Sequence, residues 1–386
     1  MQVLVPQSAS DIASIVRDTL GTLDIIGTGT RRGYGRPVVA DAVLDTSRLA
    51  GIIDYDHAEL VLTALPGTTL SEIDAAVAER GQCLAFEPPA VGALYGTGAG
   101  TLGGALAMGL AGPRRPAAGS ARDHFLGFEA VNGSGEIFRA GGKVIKNVTG
   151  YDLPKLLAGS LGTLAVLTEV TIKVLPAPPR TATLAIDGLG VAEAVAAMTV
   201  ALNSSTAVTG AAHLPHGDTP RTLLRLEGVT VSVAARIEQL SALLAVPVDI
   251  LDDQASQTLW AQVRDVVAFA RPGEIVWRVS LPPSAAPALI AALPQARALI
   301  DWGGGLAWLF LPPAADGHAA TVRAALAGVV GPADGHATLF RAPDDVRAAQ
   351  SVFQPLEAGL ALLGERVRQR FDPRGMFNPG RLYGTR

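Results

Sequence analysis

The nonapeptide Gly27-Thr-Gly-Thr-Arg-Arg-Gly-Tyr-Gly35 concentrates groups able to grip an anion. Glycines let several main-chain N–H groups converge on one cluster of oxygens, as a nest does around a pyrophosphate, and Thr28, Thr30 and Arg31 add side-chain donors. The spacing is not G-x-G-x-x-G, because Arg32 occupies the sixth place, and a plain glycine-rich hairpin stays open as the alternative. A literal G-x-G-x-x-G does occur at Gly98, Gly100 and Gly103, with Asp123 about twenty residues on, where a ribose-binding acid is expected. It follows prolines and glycines instead of an apolar strand, so a nicotinamide-type Rossmann site is not the expectation. Gly103 and Gly104 instead predict a tight turn opening a small-residue helix. With the Arg122-Asp123 pair entering the next strand, that passes backbone close beside a flat ligand.

These loops need elements to hold them. Ser10 is placed to cap a helix whose apolar residues Ile12, Ile15, Val16 and Leu20 share one face, with Gly21 as the stop, and 23–26 reads as a short buried strand. Further strands are predicted at 52–54, 60–65, 125–132 and 164–175. Thr69 and Glu72 form a capping box for a helix running to Arg80. Pro176-Ala-Pro-Pro179 cannot continue a strand, which sets a domain boundary there. Beyond it, helical stretches near 190–203, 229–244, 284–293 and 315–328 alternate with strands at 222–227, 275–281 and 306–311, and a last helix spans 345–370. No repeat period of a solenoid is present. Three parts are expected: 1–176, 180–345, and a C-terminal helix and tail, 346–386, returning to the first.

Composition narrows the function classes. The 386 residues are 49% hydrophobic and 17% charged, a globular balance, and the formal charge of −4 carries no basic footprint for nucleic acid. No stretch reaches the ~18 uninterrupted apolar residues of a spanning helix, and no secretory signal is visible after Met1, so a cytoplasmic protein is expected. Cys83 is the only cysteine, which excludes a disulfide or a cysteine-ligated iron–sulfur cluster within this chain.

Two runs make the reading specific: Lys143-Val-Ile-Lys-Asn-Val-Thr-Gly-Tyr-Asp-Leu-Pro-Lys155 and Gly159-Ser-Leu-Gly-Thr-Leu-Ala-Val-Leu-Thr-Glu169. They resemble the signatures of FAD-linked 2-hydroxy-acid oxidases of the vanillyl-alcohol-oxidase type. The first glycine loop, the Thr-Leu-Gly-Gly loop and the closing Asn-Pro-Gly recur in the family's order. Stretches such as 110–116, 277–282, 299–304, 335–338 and 377–381 are similar to the glycolate-oxidase branch in particular.

The resemblance implies an α+β fold: a two-lobed PCMH-type FAD-binding domain with a smaller α+β cap. It places Gly27, Thr28, Gly29, Thr30, Arg31 and Gly35 on the pyrophosphate. Thr101, Leu102, Gly103 and Gly104, with Arg122 and Asp123, would line the flavin and ribityl side. Gly159, Gly162, Thr163, Val166 and Val170 would lie beside the ring system, and Asn378, Pro379 and Gly380 would close its edge. Family members with covalent FAD attach it through a His or Cys of the first loop; this loop has neither, so noncovalent FAD is expected. Partners implied are a larger FAD-linked catalytic subunit, an iron–sulfur subunit and a small 2-hydroxy acid, with membrane contact only through the complex.

Oxidising a 2-hydroxy acid needs a cation for the carboxylate, a base for the hydroxyl proton and a hydride acceptor. Arg278 is the candidate cation and His336 the candidate base, each against the bland alternative of a surface ion pair or a structural histidine. His213, His216 and His318 are weaker candidates. The paired-histidine metal motif of the larger subunit has no counterpart here, since Pro215 spoils His213 and His216 as a helical ligand pair, and no metal is expected. A non-catalytic flavin-holding subunit and an NAD(P)H-dependent flavoenzyme of the same fold stay open.

Overall fold

In the computed structural model, residues 2–143, 150–217, 219–331 and 334–383 are described. The 144–149 portion of the first signature run therefore lies outside the described residues. The chain forms two compact units: the first takes residues 1–111, 119–177 and 355–386, the second 112–118 and 178–354. Helices and strands mix in both, giving the α+β class with two lobes in the first unit.

One lobe of the first unit is a parallel sheet in which Ala42–Asp45 lies between Gln2–Leu4 and Leu23–Ile26. The helix Ala9–Asp18 covers it, burying Ile12 and Val16 with Leu23 and Leu44. Its cap is Ser8, not Ser10, and its last residue is Asp18, not Leu20. The reason is local: the Ser8 hydroxyl accepts from Asp11 N while the Asp11 carboxylate accepts from Gln7 N, so donors at the entry are satisfied two residues early. Thr19 then turns extended and frees Leu20 to solvent.

The other lobe is a five-stranded antiparallel sheet, ordered Ile52–Asp56, Val61–Ala64, Val166–Lys173, Phe125–Val131, Ile137–Gly141. Helix Leu70–Ala78 packs Ile73 and Val77 against it, and its capping box is formed as the sequence predicts: Thr69 Oγ1 accepts from Glu72 N, and Glu72 accepts from Thr69 N.

The second unit is an eight-stranded sheet with helices over one face. Alternation sorts its strands: Trp277, Val279, Leu309 and Leu339 join the helix-covered core, while Arg278, Trp308, His336 and Thr338 point to the opposite face. The expected helix over 345–370 is two helices, Asp344–Ala349 and Ala358–Phe371. Between them Val352 O accepts from Leu339 N and Pro355 follows, so the backbone there serves the sheet, not a helix. No described helix is long and apolar enough to cross a membrane.

Candidate functional site

Strand Leu23–Ile26 runs directly into the first glycine loop, and no helix follows it. A second loop reaches in beside it: Thr28 Oγ1 donates to Ala99 O (3.2 Å), Thr97 Oγ1 to Thr30 O (2.8 Å) and Arg31 Nη1 to Thr101 O (3.2 Å). Thr101 caps the helix Leu102–Met108 by accepting from Gly104 N. Gly103 is required because a Cβ there would stand 2.6 Å from Pro66 Cβ and 2.9 Å from its carbonyl oxygen.

The two loops form one wall of a pocket within the first unit. Gly27, Thr28, Gly29, Thr30, Arg31, Thr101, Gly103, Gly104, Gly162, Val166 and Asn378 all line it. Sequence reasoning missed Ile25, Pro66, Met108, Leu161 and Arg381, which supply apolar wall and a second cation. Arg381 carried a signal in the Phe-Asn-Pro-Gly-Arg run; the aliphatic positions carried none.

Asn378 closes the pocket by joining distant strands of chain. Its Oδ1 accepts from Ile25 N and its Nδ2 donates to Leu161 O, each at 2.7 Å. Leu161, Gly162 and Asn378 all have positive φ, and a Cβ on Gly162 would stand 2.8 Å from Asn378 Nδ2, so a side chain there is excluded on both counts.

Other expected contacts lie elsewhere. Leu102 and Val170 are buried in the core of the antiparallel lobe. Arg122 and Asp123 do not line the pocket: both are exposed on the short helix Ala121–His124, where the Asp123 carboxylate accepts from the amide and hydroxyl of Ser120. Those bonds hold the Asp123 carboxyl below its ordinary range against the opposing pull of partial desolvation. Gly35, Gly159, Thr163, Pro379 and Gly380 stand outside the lining. Gly35 backs onto the Arg381 carbonyl, Gly159 N donates to Leu106 O and Thr163 Oγ1 to Ser160 O, while Pro379 and Gly380 are half-buried after Asn378.

The pocket's electrostatics ask for an anion. Arg32 is ion-paired with buried Asp24, but Arg31 forms no ion pair with any described residue. Its Nε is enclosed without an acceptor, and burial pushes the guanidinium down to about 10 although Tyr95 opposes this. No described residue accepts from the backbone N–H of Gly27, Thr28, Gly29, Thr30 or Arg31. Unmet donors beside a cation, opposite an apolar slot, suit the diphosphate and ring system of FAD. Among the described residues, no His or Cys lines the pocket.

In the second unit the structure brings Arg278 and His336 together. Strands Ile275–Ser280 and His336–Arg341 pair antiparallel, with Arg278 opposite Thr338 and Ser280 opposite His336, on one face. Desolvation, then Arg278 and Arg115, lower the imidazole pKa, so His336 is neutral at pH 7. No described group of three or more His, Cys, Asp or Glu is placed to hold a metal ion.

Residues 1–141 match the FAD binding domain family. The chain is 39% identical over 363 residues to glycolate oxidase subunit GlcE of Escherichia coli (strain K12), covering 94% of this chain and 92% of that protein. A shorter match, 35% identity over 159 residues, is to glycolate oxidase subunit GlcD of Bacillus subtilis (strain 168), covering 41% of this chain and 33% of that one. Among solved structures, 4-ethylphenol oxidase from Gulosibacter chungangensis aligns with a TM-score of 0.70 at 16% identity, over 99% of this chain and 88% of that one, a likeness of fold. By the near-full-length identity and the matching pocket, this FAD-binding chain belongs to the family of glycolate oxidase subunit GlcE.

Proposed function

We propose that this chain is the FAD-binding subunit of a multi-subunit glycolate oxidase type of complex, taking part in oxidation of a small 2-hydroxy acid. The observation that carries the reading is the Arg31 pocket, with its unmet amides and enclosed guanidinium, in a chain 39% identical to GlcE over 94% of its length. Gly27 to Arg31 would hold the diphosphate, and Thr101, Gly103 and Gly104 with Gly162, Val166 and Asn378 would flank the rings. The absence of His and Cys from the lining supports a noncovalent group. When bound, FAD supplies a hydride acceptor.

In the second unit, Arg278 would orient a substrate carboxylate and His336 would take the hydroxyl proton on its imidazole, neutral at pH 7. With Cys83 the sole cysteine, electrons would leave through partners, a larger FAD-linked subunit and an iron–sulfur subunit.

Co-expression with the partner subunits, flavin extraction and glycolate titration test the reading. A yellow complex bleached by glycolate, with Arg278→Met raising the apparent KM, is expected. Colourless protein despite excess FAD, or flavin reduced by NAD(P)H and not by glycolate, would overturn it.

A further inference from the structure

Within the second unit, two guanidiniums from separate stretches of chain converge on one indole. Arg115 Cζ lies 4.4 Å from the Trp302 ring centroid, and Arg278 Cζ lies 5.1 Å from the same ring and 5.8 Å from that of Trp308. His336 sits on the strand beside Arg278, on the same face. Arg115 and Arg278 repel one another where they share the ring, and the indole face offsets part of that repulsion.

The backbone that builds this cluster is unusual. Trp302, Gly303 and Gly304 have φ of 54°, 64° and 110°, and a bulky residue in the left-handed region is a true outlier of the kind found at ligand sites. Trp302 Nε1 donates to Gly112 O at 3.0 Å. Residues 112–118 belong with this unit although 111 and 119 belong to the other. Arg114 fastens that strap by a two-point ion pair to Glu227, with Nη2 at 2.5 Å and Nε at 3.0 Å from its two carboxylate oxygens. The next residue, Arg115, is exposed as a whole, lies over the ring and has no described carboxylate paired to it.

We infer that Arg115, Arg278 and His336 form a subsite for a small carboxylate bearing an oxygen on the adjacent carbon, with Trp302 as its platform. The inference rests on the 2-hydroxy-acid reading and deepens it: one guanidinium meets the carboxylate in a two-point contact, and the second cation meets the neighbouring oxygen. Arg115 is a ligand-contacting residue within the 110–116 stretch, to which the resemblance attached no role.

The test titrates the purified full chain with oxalate, glyoxylate and acetate, following tryptophan fluorescence. Oxalate and glyoxylate should bind at least about tenfold tighter than acetate, which lacks the second oxygen. Arg115→Met should weaken oxalate about tenfold or more with flavin content unchanged, and Arg115→Lys should fall between. Equal oxalate affinity in wild type and Arg115→Met, or acetate binding as tightly as oxalate, would overturn the subsite. The same titration on flavin-free protein keeps this outcome separate from failure to bind FAD, which bears on the oxidoreductase reading alone.

Discussion

A Cβ on Gly100 would stand 2.7 Å from Cζ of Arg31, so the second glycine loop approaches the pocket's buried cation as closely as a backbone can. The two loops are therefore one device: the first presents Arg31, and the second is kept bare to leave room for the guanidinium beside the pocket.

Gly100→Ala is the direct test, because Gly100 lacks a positive φ and the atoms it would strike end a flexible side chain. The chain should fold with nearly unchanged thermal stability while Arg31 swings aside. FAD affinity should drop about tenfold or more, the scale of one charge-assisted hydrogen bond. Retained flavin at wild-type affinity would show that Arg31 does not grip the cofactor.

Asn378 stands against strain for the sake of two buried backbone groups, Ile25 N–H and Leu161 C=O. Asn378→Ala leaves both unmet, which costs on the order of 2 kcal/mol. For a domain of about 200 residues that is a drop of roughly 4–8 °C in melting temperature. Calorimetry showing no loss would remove Asn378 from its bridging role.

Local chemistry was legible in the sequence and distant partnership was not. The Thr69–Glu72 box forms as read because both halves lie within four residues, and the first loop announces Arg31 by composition alone. Asp123, which the resemblance places beside the flavin, has its carboxylate taken by Ser120 three residues away. Arg381 donates to Arg31 O and Tyr34 O across some 350 residues, and Arg115 lies in the 112–118 segment, which joins a unit that 111 and 119 do not. No periodicity or spacing encodes either, since each depends on which surfaces meet after the sheets have formed.

His213 makes the second unit sensitive to acid. It is fully buried, its Nδ1 is paired with Thr222 Oγ1 at 2.9 Å and its Nε2 has no partner. Desolvation, reinforced by His216, lowers its pKa from 6.5 to about 4. The folded state thus resists protonation that the unfolded state accepts. Stability is full above about pH 6.5 and is lost progressively as pH falls through 4, by a total on the order of 3 kcal/mol. Denaturant titrations of His213→Gln should show a flatter slope across that window than wild type; parallel slopes would sink the assignment.

His336 offers the opposite lever, one that charge can tune. Its imidazole is lowered first by desolvation, then by Arg278 and by Arg115. Arg115→Met deletes one lowering influence, so the pKa must rise toward 6.5, whereas Arg115→Lys keeps the charge and should leave it in place. A base works only when unprotonated, so the acidic limb of glycolate-dependent flavin reduction should move to higher pH in Arg115→Met and stay put in Arg115→Lys. Proton NMR titration of the His336 ring, assigned by its disappearance in His336→Gln, reads the same shift without turnover. An acidic limb that ignores the charge at position 115 while the ring resonance follows it would mean that His336 titrates beside the reaction and takes no proton from the substrate.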